Sequence, residues 1–341
     1  MTYSELAAAA RGGIGPFCRA CPVCDGRACA GVIPGPGDKG VGRVAHRNWQ
    51  AWQGLRVSMD TLHDTWAADT GTTVLGQRLS LPVMVGPVGD VQRHYGERYD
   101  TVSYNRCALE AAAGEGTLAW TGDGLDASIM TEACGLIAEL GGRGVPTVKP
   151  WDEVTLGEKL DEALAARPAA VAMDIDAAGL PFLRGQEPPA GAKSAAQVGE
   201  VAARCHEAGV PFALKGVMTP SAAARAAEAG VDAIVVSNHG GRVLDGTPAT
   251  AEVLPAIVDA VGERVEVLVD GGVRSGLDVF RALALGARAC LVCRPFVVAT
   301  FGGGAEGVRA YLGELRSGLA DAMEMCGAAT VADVTRDMLW G

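Results

Sequence analysis

The sequence has fewer basic than acidic residues and few aromatic residues, and it lacks long apolar runs. Only 29 lysines and arginines stand against 40 acidic residues, which gives a formal net charge of -11. An acidic surface repels phosphate backbones and anionic lipids, so neither nucleic acid nor a membrane surface is an expected partner. No uninterrupted apolar stretch reaches the length that spans a bilayer. The six tryptophans and five tyrosines show no stacking pattern for nucleic-acid bases.

The N-terminal stretch MTYSELAAAARGGIG lacks a basic start followed by an apolar core, so no secretory signal is expected. We therefore predict a cytoplasmic protein, in which most of the ten cysteines are reduced thiols or metal ligands and not structural disulfides.

Four cysteines lie within the twelve residues CRACPVCDGRAC, at Cys18, Cys21, Cys24 and Cys29. Four close thiols can bind zinc or an iron–sulfur cluster. However, the spacing C-x2-C-x2-C-x4-C is neither a common ferredoxin pattern nor the two separated pairs of a compact zinc site. Free thiols, a metal centre and a disulfide therefore stay open as alternatives, and we assign no metal ligand.

From Leu81 onward, short apolar runs alternate with alanine-rich helical stretches. The runs are LPVMVGPVG (81–89), GTLAWTG (116–122), VPTVKPW (145–151), AAVAMDID (169–176), PFALKGV (211–217), AIVVSNHGG (233–241), VEVLVDGGV (265–273) and ACLVCRPF (289–296). Continuous apolar runs are typical of parallel strands that are covered on both faces. Eight such strands alternating with helices predict a single α/β domain of the (β/α)8 TIM barrel type, with a doubly wound sheet as the rival.

Two of the helices have recognisable ends. TPSAAARAAEAG is predicted to begin after Thr219 and end at Gly230, and SGLDVFRALALG to begin at Ser275 and end at Gly286. No linker divides the chain. We therefore expect a loop-rich extension with many Cys, Gly and Pro residues over residues 1–60, packed on a barrel over residues 61–341.

Polar side chains follow most of the predicted strands, at the point where each apolar run ends. They are Lys149, Asp174, Asp176, Lys215, His239, Asp270 and Arg294. The C-terminal ends of the strands form the active face of such a barrel. Six strands that end in ionisable groups therefore predict one functional site on this face.

The last two strands predict a phosphate site. DGGVRSG (270–276) places two glycines after the seventh strand, where backbone N–H groups can approach a phosphate closely. Arg274 and Arg294 add positive charge, and the helix that starts near Ser275 adds its N-terminus. Loops after strands seven and eight are the usual phosphate position in this fold.

The segment SNHGGRVLDG (237–246) indicates proton abstraction from an anionic substrate. His239 is the candidate base, and Arg242 can hold a carboxylate. Asp176 can orient the imidazole and stabilise its charged form. Lys215 ends the fifth strand and can stabilise negative charge on a bound cofactor ring.

The segments KG, SNHGGR-LDG, ATAEVLPAIVDAV, DGGVRSG, RALALGA and RP together resemble the FMN-dependent α-hydroxy acid oxidase and dehydrogenase family, which includes glycolate oxidase and lactate oxidase. The resemblance is dense from about Lys215 to Met338 and looser before it. It implies an FMN-binding barrel that oxidises a 2-hydroxy acid to the 2-oxo acid. His239 would remove a proton while a hydride or electrons pass to flavin N5. The resemblance also implies a homotetramer.

The same resemblance assigns roles to individual positions. The cofactor-binding residues would be Pro87, Val88, Gly89, Lys149, Asp174, Lys215, Ser237, Asp270, Gly271, Gly272, Arg274, Cys293 and Arg294. The substrate would contact His239, Arg242 and Trp151. Lys149 stands where the family usually has a glutamine, and Cys293 where a glycine is common.

The departures from the family pattern lie around the substrate. GVIPGPG lacks the N-terminal tyrosine that binds the carboxylate in the family. Trp151 falls near a second tyrosine of the family, and Arg184 is an approximate stand-in for a second arginine. A site that loses hydrogen-bonding partners for its ligand usually changes ligand, which predicts an unusual hydroxy acid.

Two other functions stay open at this point. One is an FMN barrel enzyme of different chemistry, similar to the type 2 isopentenyl diphosphate isomerases. The other is a redox-sensing flavoprotein with the cysteine segment as its sensor. A cluster on those cysteines would instead carry electrons away from the flavin and make the enzyme a dehydrogenase.

Overall fold

The computed structural model, which describes residues 1–64 and 66–340, begins with short elements that lie outside the main sheet. They are α1 (Tyr3–Ala10), α2 (Val44–Gly54), β1 (Arg56–Val57), β2 (Thr72–Val74) and β3 (Gln77–Leu79). A capping box fixes the start of α1, because the Thr2 side chain accepts the N–H of Glu5 and the Glu5 carboxylate accepts the N–H of Thr2.

Eight parallel strands form the central sheet. They are β4 (Val83–Val85), β5 (Trp120–Thr121), β6 (Val145–Val148), β7 (Val171–Asp174), β8 (Phe212–Val217), β9 (Ala233–Val236), β10 (Glu266–Val269) and β11 (Ala289–Val292). They pair in the order β4-β11-β10-β9-β8-β7-β6-β5, and a bridge between Val85 and Ala119 brings β4 beside the chain that leads into β5. The predicted (β/α)8 barrel is thereby confirmed, and each predicted apolar run contains one of the strands.

Helices alternate with these strands along the chain. They are α3 (Val91–Tyr95), α4 (Thr101–Gly114), α5 (Ser128–Glu139), α6 (Glu153–Ala165), α7 (Ala195–Glu207), α8 (Pro220–Glu228), α9 (Thr250–Val261), α10 (Gly276–Ala284) and α11 (Arg294–Met325). The predicted starts of two helices are confirmed: Thr219 Oγ1 caps α8 by accepting the N–H of Ala222, and Ser275 Oγ caps α10 by accepting the N–H of Asp278, both at 3.1 Å. The chain closes with β12 (Leu339–Trp340), which pairs with β1 in antiparallel fashion.

Among the helices of the described residues, none has both the length and the apolar character that crossing a membrane requires.

The hairpin of β2 and β3 closes the N-terminal end of the barrel. Val74 and Leu79 from this hairpin belong to the same buried cluster as Met84, Trp120 and Leu268 from the strands. Side chains therefore fill this end, and the open space of the barrel lies at the opposite end, where the strands finish.

Candidate active site

A cavity of about 510 Å³ lies at the C-terminal ends of the strands, within the size range of small-molecule and cofactor sites. Fourteen of the predicted site residues line it: Pro87, Val88, Gly89, Lys149, Asp174, Lys215, His239, Arg242, Asp270, Gly271, Gly272, Arg274, Cys293 and Arg294. Residues at the C-terminal end of each of the eight strands, or in the segment that follows it, contribute to the wall. The barrel thus brings together residues that are up to 207 positions apart in the chain, from Pro87 to Arg294.

Lys215 lies at the centre of a buried group of charges. Its Nζ donates to Asp174 Oδ1 at 2.8 Å and lies 3.6 Å from Asp270 Oδ2. Lys149 Nζ is 3.9 Å from the other oxygen of Asp174. Burial alone would lower the pKa of Lys215, but Asp174, Asp270 and Asp176 hold that pKa well above its usual value, so the ammonium stays charged.

His239 is oriented by two contacts. Its Nδ1 lies 3.0 Å from Asp176 Oδ1, and its backbone N–H donates to Ser237 Oγ at 3.1 Å. His239 has a φ of 55°, which is uncommon for a residue other than glycine. Because Nδ1–H donates to Asp176, the neutral ring presents Nε2 as an acceptor. Ser237 and Asp176 both contact His239, and neither is among the residues that line the cavity.

The carboxylates of Asp174 and Asp176 have opposite pKa shifts. Burial tends to raise the pKa of Asp174, but His239, Lys215 and Lys149 together hold it well below its usual range. Burial raises the pKa of Asp176, and His239 and Lys215 offset this only in part. Neighbouring carboxylates with diverging pKa values usually have different roles, and here Asp174 is an anion beside Lys215 while Asp176 contacts His239.

Several buried polar atoms of the cavity have no partner among the described residues. They are Thr147 Oγ1, Arg242 Nε, Asp270 Oδ1 and Arg294 Nη1. Buried polar groups are almost always hydrogen-bonded, so these atoms indicate a polar ligand in the cavity. Their spread from the barrel centre to the end of the last strand suits an elongated ligand that has polar groups at both ends.

The glycine pair Gly271–Gly272 has the backbone geometry that the phosphate prediction requires. Both residues have positive φ, 84° and 86°. A Cβ on Gly272 would overlap the backbone of Asn48, so α2 packs directly against this turn. Nearby, Arg294 Nη2 donates to the carbonyl of Gly240 at 2.9 Å, which leaves its unpartnered Nη1 for an anion.

Arg274 is held by the cysteine segment. Its Nε donates to the carbonyl oxygen of Cys24 at 2.7 Å, and its Nη1 donates to the carbonyl of Val273 at 2.6 Å.

Burial raises the pKa of the Cys18 thiol to about 12, so this thiol is protonated at neutral pH.

The four N-terminal cysteines are unpaired in the described chain. Among residues 1–64 and 66–340, one group of side chains brings three potential metal-ligand atoms within 4.8 Å of one another. It consists of Asp174, Asp176 and His239 and includes none of these sulfurs. The cysteine segment contacts Arg274 through its backbone, at the carbonyl oxygen of Cys24.

Cys293 occupies a position where the resemblance leads one to expect a glycine, and the space for its thiol comes from Gly86. A Cβ on Gly86 would overlap Cys293 Sγ, whereas its other neighbours lie at ordinary contact distance, with Leu291 Cβ at 3.4 Å. Burial raises the pKa of Cys293 to about 12, so the thiol is a neutral, space-filling group.

This contact predicts the behaviour of a pair of variants. Gly86→Ala should destabilise the protein by about 1–3 kcal/mol, the usual cost of overpacking a buried site. In the double variant Gly86→Ala/Cys293→Ala, the added methyl fits the space that the sulfur leaves, so most of the loss should be recovered. Urea unfolding of both single variants and the double variant measures this coupling. Strictly additive effects would show that the two side chains do not share the space.

Trp151 does not lie where the predicted contact with the substrate requires it. It is fully buried, and its indole N–H donates to Asp123 Oδ2 at 2.6 Å, so it supports the wall and is not among the residues that line the cavity. Arg184 is exposed and is also outside that lining. A tryptophan cannot reproduce the tyrosine hydroxyl of the family, and here its N–H is already used by the protein.

Sequence reasoning missed Asp123, which follows the second strand. Besides Trp151, it accepts from Lys159 Nζ at 2.5 Å and from the N–H of Lys149 at 3.1 Å. Asp123 therefore holds the backbone of Lys149 in place. The signal was present, because Asp123 directly follows the apolar run GTLAWTG. His94 in α3 also lines the cavity and was missed.

Barrels that hold a phosphate-bearing ligand after strands seven and eight, with titratable groups on the other strand ends, form a recognised class of enzymes, and the fold and cavity place this chain in it. Comparison with known families narrows that class. The model of the family described as FMN-dependent dehydrogenase matches residues 36–181 and 183–341, and the chain belongs to that family. Its cofactor is FMN, and the unpartnered polar atoms and the glycine turn fit such a ligand.

Individual relatives match over different lengths. An L-lactate oxidase from Roseobacter sp. (strain GAI101) is 51% identical over 132 residues, which are 39% of this chain and 36% of that protein. A pre-mycofactocin synthase from Mycobacterium tuberculosis is 51% identical over 127 residues, 37% of this chain and 32% of that protein. These matches therefore span about a third of the length of the curated relatives.

Likeness to a solved structure extends over the whole chain. A mandelate oxidase with (S)-2-phenylpropionate superposes with a TM-score of 0.80 at 28% identity, covering 99% of this chain and 97% of that one. The structural likeness is therefore not confined to the barrel strands but includes nearly the whole chain.

Proposed function

We propose that this protein oxidises a 2-hydroxy acid to the corresponding 2-oxo acid with FMN as its cofactor. The observation that carries the proposal is the His239–Asp176 contact of 3.0 Å at the rim of a cavity that also holds Arg242 and the buried Lys215. A base, an anion-binding cation and a fixed ammonium are the groups that oxidation of a hydroxy acid needs. Relatives named L-lactate oxidase and L-lactate dehydrogenase favour this reaction over isomerase-like or redox-sensing chemistry.

When bound, FMN supplies the acceptor for two electrons from the substrate. His239 takes a proton from the substrate at Nε2, and Asp176 stabilises the resulting imidazolium through Nδ1. Arg242 holds the substrate carboxylate. Its guanidinium carbon lies 5.7 Å from the ring centre of Phe182, which also lines the cavity and offers an apolar surface beside the carboxylate.

The cofactor would be held at both ends. Arg294, Gly271 and Gly272 suit the phosphate, because they offer a free guanidinium nitrogen and a turn with accessible N–H groups. Lys215 and Lys149, joined through Asp174, suit the edge of the ring system where negative charge accumulates on reduction.

The decisive experiment is an anaerobic visible spectrum of the purified protein before and after adding L- and D-2-hydroxy acids with aliphatic and aromatic side chains. We expect a flavin spectrum that bleaches with one enantiomer of at least one acid, while the matching 2-oxo acid produces no bleaching. A bound flavin that no hydroxy acid bleaches would overturn the proposed reaction and leave the family assignment intact.

We further propose a cytoplasmic homotetramer in which residues 1–60 form an extension packed on the barrel. The cysteine content suits a reducing compartment, and the family resemblance supports the tetramer. No nucleic-acid or membrane partner is proposed, since the acidic charge disfavours both. Light scattering of the eluting protein should give about four times the chain mass of 34.9 kDa.

A further inference from the structure

His94 is a buried histidine in the cavity wall to which the sequence gives no role. It lies near the end of α3, with only 2% of its surface exposed. Its ring packs against Phe182, with ring centres 5.3 Å apart. Arg242 lies over the same phenylalanine, so the two polar groups share one aromatic support.

The position of the His94 proton follows from a backbone contact. The N–H of Gly35, which is buried, donates to His94 Nδ1 at 3.0 Å. A nitrogen that accepts a hydrogen bond carries no proton, so the neutral ring carries its proton on Nε2. Burial, together with Arg242, Arg93 and Lys149, lowers the pKa of His94 to about 3, which keeps the ring neutral near pH 7.

His94 Nε2 lies 3.5 Å from Arg242 Nη2. A guanidinium nitrogen can only donate, and Nε2–H also donates, so these two groups cannot satisfy each other. Both belong to residues that line the cavity, and Arg242 Nε also has no partner among the described residues. Two donors that converge in this way call for an acceptor between them, and a carboxylate is the acceptor that a neighbouring arginine favours.

We propose that His94 Nε2–H and Arg242 together bind the carboxylate of the substrate. The inference rests on the proposed oxidation of a 2-hydroxy acid and adds a substrate-binding residue to it. Gly35 lies within GVIPGPG, the segment that lacks the tyrosine of the family. This segment therefore contributes to carboxylate binding through its backbone, by fixing the tautomer of His94.

Two isosteric variants separate substrate binding from a structural role. In His94→Asn, the side-chain oxygen can take the place of Nδ1 and keep the Gly35 contact, but no donor reaches the position of Nε2. In His94→Gln, the side-chain nitrogen can take the place of Nε2 and keep the donor, while the Gly35 contact is lost. The probes are a 2-oxo acid that matches the bleaching substrate and the primary amide of that acid, titrated by their effect on the flavin spectrum.

We expect His94→Asn to weaken binding of the 2-oxo acid by about tenfold or more, which is the effect of losing one hydrogen bond to a charged group. The affinity of the neutral amide should change by less than about threefold, because a hydrogen bond to an uncharged acceptor contributes less. His94→Gln should keep most of the affinity for the acid and lower the melting temperature. His206→Gln, at an exposed site paired with Asp232, is the control.

The reverse pattern, in which His94→Gln loses the acid and His94→Asn keeps it, would overturn the inference, as would equal losses for acid and amide. Failure of the proposed function looks different: the wild-type flavin would then neither bleach with any hydroxy acid nor respond to any 2-oxo acid.

Discussion

Replacing His239 with glutamine is expected to slow flavin reduction by a factor of about 10²–10⁴, the range that a positioned general base contributes. The reason is that glutamine can occupy the space between Asp176 and the cavity but cannot accept a proton. FMN should stay bound, because the substitution leaves Lys215 and the residues assigned to the phosphate unchanged. Anaerobic stopped-flow spectroscopy measures the rate of flavin reduction, and the FMN content of the purified variant shows whether the cofactor stays bound.

Asp176→Asn provides the graded comparison for this prediction. It keeps the contact to His239 Nδ1 at 3.0 Å but removes the charge that stabilises the imidazolium, so the rate should fall by less than in the His239 variant. His206→Gln, away from the cavity, should reduce the flavin at the wild-type rate. A His239→Gln enzyme that retains more than a tenth of the rate would contradict the assignment of the base.

Replacing Lys215 with methionine should lower both the stability of the protein and its affinity for FMN. Lys215 is 2% exposed and is the common partner of Asp174 and Asp270. Removing one member of a buried charge network leaves the others uncompensated and typically costs about 3–5 kcal/mol. FMN should also bind more weakly, since the ring loses its fixed positive charge. Urea unfolding with and without added FMN measures the two effects.

Lys159→Met is the matched control for this variant. Lys159 is also buried and donates to a buried carboxylate, Asp123, at 2.5 Å. Its removal should destabilise the protein by a similar amount, yet the reduction potential of the bound flavin should change only in Lys215→Met. If both variants shift the potential equally, Lys215 has no specific role at the ring.

The barrel could be predicted because its signals are local. The runs 171–173 and 233–236 are apolar throughout, as a strand buried on both faces requires, and all their residues are buried. The helix starts at Thr219 and Ser275 could likewise be predicted from neighbouring residues. The strand-end rule then brought His239, Lys215 and their neighbours to one face.

What the sequence could not provide is which atoms meet across long separations. Arg274 bonds the carbonyl of Cys24, 250 residues away, and Gly35 bonds His94, 59 residues away. Backbone donors and acceptors carry no sequence signature, so such contacts are invisible to motif analysis. Trp151 illustrates the same limit: alignment placed it near the substrate, whereas its N–H is used by Asp123.

The hairpin of β2 and β3 has a consequence for the order of events in turnover. Since side chains fill the barrel behind the cavity, ligands exchange through the rim, where Gln92, Arg93, Asp126 and Ser128 are exposed. In the proposed oxidation, the 2-hydroxy acid and the molecule that later reoxidises the flavin would both enter through this opening. The two half-reactions would then alternate, and slow release of the 2-oxo acid would delay reoxidation of the flavin.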